Sequence, residues 1–234
     1  VGNNSGASRV SGAVVEKYSF FYLPGDFEVT KSILTVTANN KTKEYGNENP
    51  TLTYLFTGWV KGIEEIDVPP TIFTTVDKST PAGTHNGAIS FLGGEDNNFT
   101  FKFEPASFSI SKAKLDVVAD NQTKVFGEEN PILTYSCIGW KNNDNISDLL
   151  VQPIAGTLIG KATKVGKYSD AITVSGGFDE NYEFSYVSSD LKVTKASLVV
   201  VAESKAKCFD GKVFGGKNNV TYSGFVNGED RSVL

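Results

Sequence analysis

Methionine is absent from the sequence, histidine occurs once, at His85, and cysteine twice, at Cys137 and Cys208. A single histidine excludes a multi-histidine metal site, and two cysteines are too few for a disulfide scaffold, so the fold must stabilise itself by core burial. Excess positive charge is also missing. Twenty-two Lys and Arg against 27 Asp and Glu give a formal net charge of -5, with no basic stripe to meet nucleic acid or an anionic membrane surface. No apolar run approaches the roughly 18 residues of a spanning helix, which argues against direct membrane insertion. The first ten residues, VGNNSGASRV, have neither the charged nor the apolar region of a signal peptide. Any export signal is therefore expected to lie outside this stretch or to have been removed.

What the sequence has in quantity is Gly, at 23, and Phe and Tyr, at 16 and 9, beside abundant Thr, Val and Ile. Such residues favour pleated strands joined by turns. The period of that composition is visible directly. Tyr45-Gly46-Asn47-Glu48-Asn49-Pro50-Thr51-Leu52-Thr53-Tyr54 returns as Phe126-Gly127-Glu128-Glu129-Asn130-Pro131-Ile132-Leu133-Thr134-Tyr135, an offset of 81. Further on, Gly83, Ala88, Ile89, Gly93, Gly94, Asp96 and Asn98 return as Gly166, Ala171, Ile172, Gly176, Gly177, Asp179 and Asn181, where the offset is 83. A two-residue insertion after the Trp of the second copy accounts for the change and is expected in a loop.

Both ends carry further copies. Val10 to Lys31 aligns without a gap on Val174 to Lys195, and the pattern restarts at Ser197, with Lys207-Cys208-Phe209-Asp210-Gly211 in the place of Lys124-Val125-Phe126-Gly127. The expected organisation is thus 1–31, the end of one repeat; 32–112 and 113–195, two complete repeats; and 196–234, the start of another. The chain reads as part of a longer array in which flanking sequence completes both partial copies. At each junction five positions separate the last strand from the next, as from Ile110 to Leu115, which predicts stiff, linker-free joints.

Within a repeat the periodicity is two. Leu34/Val36, Leu52/Tyr54/Phe56, Phe99/Phe101/Phe103 and Phe108/Ile110 alternate with polar residues, the pattern of half-buried strands. Six or seven such strands per repeat predict an all-β chain of tandem small β-sandwiches, immunoglobulin-like, of about 81–83 residues each. The alternative is a β-grasp repeat, which requires a helix of two to three turns after Trp59; only one short helical turn is expected there.

Together the motif around Tyr45-Gly46 and Phe126-Gly127, the Gly-Trp pairs Gly58-Trp59 and Gly139-Trp140, and the closing strands to Lys112-Ala113 and Lys195-Ala196 resemble the bacterial MBG repeat of the YGX type. The incomplete copy from Ser197 is more similar to the related YDG-type repeat. Phe126 and Phe209 depart from the usual Tyr. The resemblance implies a large secreted surface protein of the adhesin kind, extracellular and at the cell surface, with no catalytic residue. Its partners would be adjacent repeats and, for a binder, surface glycans or a host protein.

Each residue that might carry chemistry has a plain structural reading. His85 aligns with Tyr168 and reads as a loop residue, and Cys137 as a small hydrophobe facing inward on the second strand. Glu48 and Glu129, beside Asn-Pro, read as turn chemistry. Asp96 and Asp179, in the loops Gly93–Asn98 and Gly176–Asn181, are weak candidates for calcium, offering hard oxygens without the spacing of a dedicated loop. Trp59 and Trp140 are weak candidates for stacking on sugars, but an aromatic recurring in each copy better fits a packing anchor. Three functions follow: a structural stalk or spacer in an adhesin, repeats that themselves bind glycans or host protein, or an accessory module of a secreted enzyme.

Overall fold

The structure is a computed structural model and describes residues 1–217 and 219–234. The chain divides into two compact units, Val1–Lys112 and Ala113–Leu234. In the first unit β1 (Gly2–Ser8) pairs with β2 (Gly25–Val29), and a complete repeat follows: β3 (Ser32–Ala38), β4 (Lys41–Glu44), β5 (Tyr54–Thr57), β6 (Thr71–Thr74), β7 (Gly83–Leu92), β8 (Phe99–Glu104) and β9 (Ala106–Ser111). The second unit repeats the set as β10 (Ala113–Ala119), β11 (Gln122–Val125), β12 (Tyr135–Ile138), β13 (Val151–Thr157), β14 (Gly166–Phe178), β15 (Tyr182–Val187) and β16 (Ser189–Thr194). It ends with β17 (Val199–Ala202) paired to β18 (Val220–Ser223).

Each complete repeat is two sheets. In the first, the three-stranded sheet runs β5-β3-β8 and the four-stranded one β4-β9-β7-β6; the second repeats this as β12-β10-β15 and β11-β16-β14-β13. Two stretches of chain cross from sheet to sheet, β3 into β4 and β8 into β9. Pro105 separates the latter two; lacking an N–H, it cannot extend a ladder and so ends one sheet where the other begins. Ser188 stands there in the second repeat, so proline is not obligatory. Instead a shared hydrogen bond ties the crossing strands: Asn40 Oδ1 accepts from Ser107 N at 2.9 Å and Asn121 Oδ1 from Asp190 N at 2.8 Å. Because both crossings run side by side, β3 pairs parallel with β8 and β4 with β9, pairings that alternation alone does not reveal.

The core lies between the sheets. Val117 and Ala119 of β10 meet Ile172 and Val174 of β14 and Leu191 and Val193 of β16, with Phe126, Leu133, Tyr135, Cys137 and Phe184 packed around them. Val36, Ala38, Ile89, Phe91, Phe108 and Ile110 are buried at the matching places in the first repeat. Burying each such side chain contributes roughly 1.5–3 kcal/mol before chain entropy is counted.

Among the described residues helix is limited to single 3-10 turns, Ile146–Asp148 and Arg231–Val233. The β-grasp alternative, which needs a helix across the sheet, is therefore set aside in favour of the two-sheet repeat. The offset rises from 81 at Trp59/Trp140 to 83 at the edge strands, because Ile72 opposite Phe91 corresponds to Ala155 opposite Val174. The insertion thus lies in the loop that holds the first 3-10 turn. Asn145 caps that turn, accepting from Ser147 N at 2.9 Å while its own N–H donates to Asp148 Oδ2 at 2.8 Å.

Candidate functional site

The most repeated residues of the sequence converge on one loop. Lys124, almost completely buried, donates from Nζ to the carbonyl oxygen of Gly160 at 2.8 Å and to Asn130 Oδ1 at 3.1 Å. Asn130 in turn donates from Nδ2 to Ile159 O at 2.5 Å, and Glu129 pairs with Lys161 at 2.5 Å. The first repeat is built the same way. Lys43 Nζ donates to Asp77 O at 2.5 Å, Asn49 Nδ2 to Val76 O at 2.5 Å, and Glu48 pairs with Lys78 at 2.6 Å. Partial burial pushes the Lys43 ammonium below its usual range, against the raising pull of Asp77 and Glu48. The motif is accordingly a clamp on the loop between the edge strand and the long strand beside it. Its lysine and asparagine satisfy backbone carbonyls that no strand reaches.

Glu48 and Glu129, besides accompanying the turn, each form an exposed ion pair with a lysine of the clamped loop. Sequence reasoning passed over the lysines, although the signal was there. Lys43, Lys124 and Lys207 recur two positions before the aromatic, and Lys78 and Lys161 recur at the second offset.

The glycine before each Trp has a steric cause. Gly58 and Gly139 have φ of 96° and 114°, and a Cβ at either would lie 2.9 or 2.5 Å from the carbonyl oxygen of Ile33 or Lys114. Gly224 repeats this against Ser197, with φ 106° and 2.5 Å. The aromatic that follows turns inward. Trp59 packs edge-on to the buried Phe99 at 5.7 Å between centroids and tilts over Phe56 at 5.4 Å; Trp140 packs edge-on to Tyr182 at 5.3 Å. Both indoles are half-buried. Tyr182 adds a polar tie, its hydroxyl accepting from Lys141 N at 2.9 Å and donating to Asp144 Oδ2 at 2.7 Å.

Asp96 is buried, and its carboxylate holds backbone. Oδ1 accepts from Asn98 N at 2.7 Å and Phe99 N at 2.9 Å, Oδ2 from Asp67 N at 3.1 Å. The Asn98 N–H above all holds its carboxyl below the usual range against desolvation, helped by the other two amides and the nearby Lys31 charge. Asp179 is buried likewise and accepts from Asn181 N at 2.7 Å. Among the described residues no group of three or more His, Cys, Asp or Glu is placed to hold a metal ion.

His85 lies in β7 rather than in a loop. Its Nε2 is 2.9 Å from Pro81 O, the place at which Tyr168 donates its hydroxyl to Lys164 O at 2.8 Å, so the two unlike side chains make one contact. Cys137 faces the core, and burial pushes its thiol up; Cys208 is exposed, and neither is in a disulfide.

Compared with known families, the chain matches the family described as MBG domain (YGX type) twice, at residues 34–109 and 115–192. No curated protein matches it.

Proposed function

As the chain belongs to the MBG domain family of the YGX type, matched over more than half its length, we propose that it is a non-catalytic spacer. Its repeats would form part of the stalk of a secreted cell-surface adhesin and hold a binding region away from the cell. The observation that carries this reading is how the recurring polar residues are used. Lys124, Asn130 and Glu129, like Lys43, Asn49 and Glu48, bind the loop of their own repeat, and Asp96 binds its own turn. Repetition thus serves the building of a unit. A single residue, Lys112, separates β9 from β10.

Small-angle scattering on the whole chain tests the spacer. A compact globule of this length has a radius of gyration of about 18 Å. The expected value is well above that, and a value near it would overturn the reading.

A further inference from the structure

The clamp of the second complete repeat carries something on its outer side. Gly127, the glycine of the motif, has φ 88°, and a Cβ built there would lie 2.6 Å from both Cβ and Cγ2 of Val226. Val226 follows Phe225, the residue at the Trp position of the next copy, and is half-buried. Beside this contact the carbonyl oxygen of Lys161, in the clamped loop, accepts two hydrogen bonds of 3.2 Å. One comes from Gly127 N, the other from Nδ2 of Asn227 in the next copy. Asn227 is held with φ 53°, and the turn is closed by Glu229 N donating to Val226 O at 3.0 Å.

We propose that Gly127 is the seat of the joint between the second complete repeat and the copy that follows it, its bare Cα receiving Val226, the residue after that copy's Gly224-Phe225 pair. The clamped loop offers its Lys161 carbonyl to the following asparagine. The partner surface is thus defined by its chemistry: a half-buried β-branched residue followed by an amide side chain in the left-handed conformation, presented by a repeat of the same chain. Two demands meet at Gly127. A side chain there would be strained by φ and would also displace Val226, whose Cβ sits too close to move by rotamer change alone. The clamp and the joint are consequently one structure, and the loop that Lys124 and Asn130 hold in place is the loop on which the next repeat rests.

Hydrogen exchange followed by mass spectrometry on the whole chain tests this, because Val226→Asp leaves every residue of the second complete repeat unchanged. The expected result is faster uptake, on the order of five- to tenfold, in peptides covering residues 124–131 and 159–163. Val213→Asp, at a residue of the same partial copy that is almost fully exposed, should leave them as they are. Unchanged uptake in Val226→Asp would overturn the joint, as would an equal rise in Val213→Asp, which would trace the effect to general loosening of the partial copy. Neither result alters what scattering says about the spacer.

Discussion

The partial copies reproduce the pairing of the complete repeats without their burial. β1 and β2 pair Gly2 with Val29 and Asn4 with Phe27, as β14 and β16 pair Gly166 with Val193 and Tyr168 with Leu191. Even the bulge is kept, with Gly6 at φ 69° where Asp170 has 54°. Yet Leu191 is fully buried whereas its counterpart Phe27 is 56% exposed, and Val117 is fully buried whereas Val200 is 53% exposed. Register is a local property, set by neighbouring strands and the bulge. Burial is a property of two sheets together. The aromatic run at Tyr18, Phe20 and Tyr22 makes the same point. Its counterpart β15 is a strand paired with β10, whereas among the described residues 19–24 form no strand.

The sharpest way to test that contrast is to cut both members of one aligned pair. Leu191→Ala is expected to cost about 2–5 kcal/mol, the range for deleting a buried leucine. Phe27→Ala, at the aligned exposed position, should fall within about 0.5 kcal/mol. Hydrogen exchange followed by mass spectrometry measures the first in peptides of residues 113–195 and the second in peptides of residues 1–31. Equal losses would mean that the partial copy is folded as firmly as the complete one.

Trp140→Ala sharpens the comparison within the repeat. The indole is half-buried on Tyr182, so a loss of about 2 kcal/mol is expected, below the 3–5 typical of a fully buried aromatic. An unfolding midpoint unmoved by this substitution, with loss of binding on a glycan array, would favour repeats that themselves recognise sugars.

Much of this was legible before any coordinates. Two offsets located the repeats, alternation located their strands, and the rise from 81 to 83 placed an insertion after Trp140, which strand register narrows to the loop that carries the 3-10 turn. The parallel pairs were not legible, because alternation reports which face a residue occupies and not which strand lies beside it. The clamp was half legible. Asn49, Asn130, Glu48 and Glu129 stood out in the motif, but their partners include main-chain oxygens of Val76 and Ile159, which leave no trace in residue type. His85 and Tyr168 show the limit from the other side: unlike residues that make one contact look like variation at a position of no consequence.

Acid should separate the complete repeats from their variants in a defined direction. The Asp96 carboxyl is held below its usual range by the Asn98 N–H foremost, so its folded-state value lies below that of the unfolded chain. Its stabilisation is present in full above the unfolded carboxylate range, near pH 4, and is lost as pH falls through the lower folded value. Asp96→Asn removes that titration. Stability of the first repeat followed from pH 6 to pH 2 should therefore fall less steeply in the variant, and parallel curves would show that Asp96 titrates alike in both states.

The smallest effect belongs to the residue most conspicuous in the motif. Glu129 meets Lys161 at 2.5 Å, but the two side chains are 78% and 53% exposed, and Glu48 with Lys78 is as open to water. Exposed ion pairs gain little Coulomb energy in a high dielectric and lose side-chain freedom, so Glu129→Gln should cost no more than about 1 kcal/mol. Asn130→Ala, one residue on, removes the donor to the inward-facing Ile159 carbonyl and an acceptor of the buried Lys124, for about 1–3 kcal/mol. Denaturation midpoints of the two variants, taken at low and at high salt, check both the ranking and its cause. Glu129→Gln should approach the parent chain as salt rises, while Asn130→Ala keeps its deficit. A salt-independent loss at Glu129 as large as that at Asn130 would show that the clamp is held by charge at its rim, not by the amide beneath it.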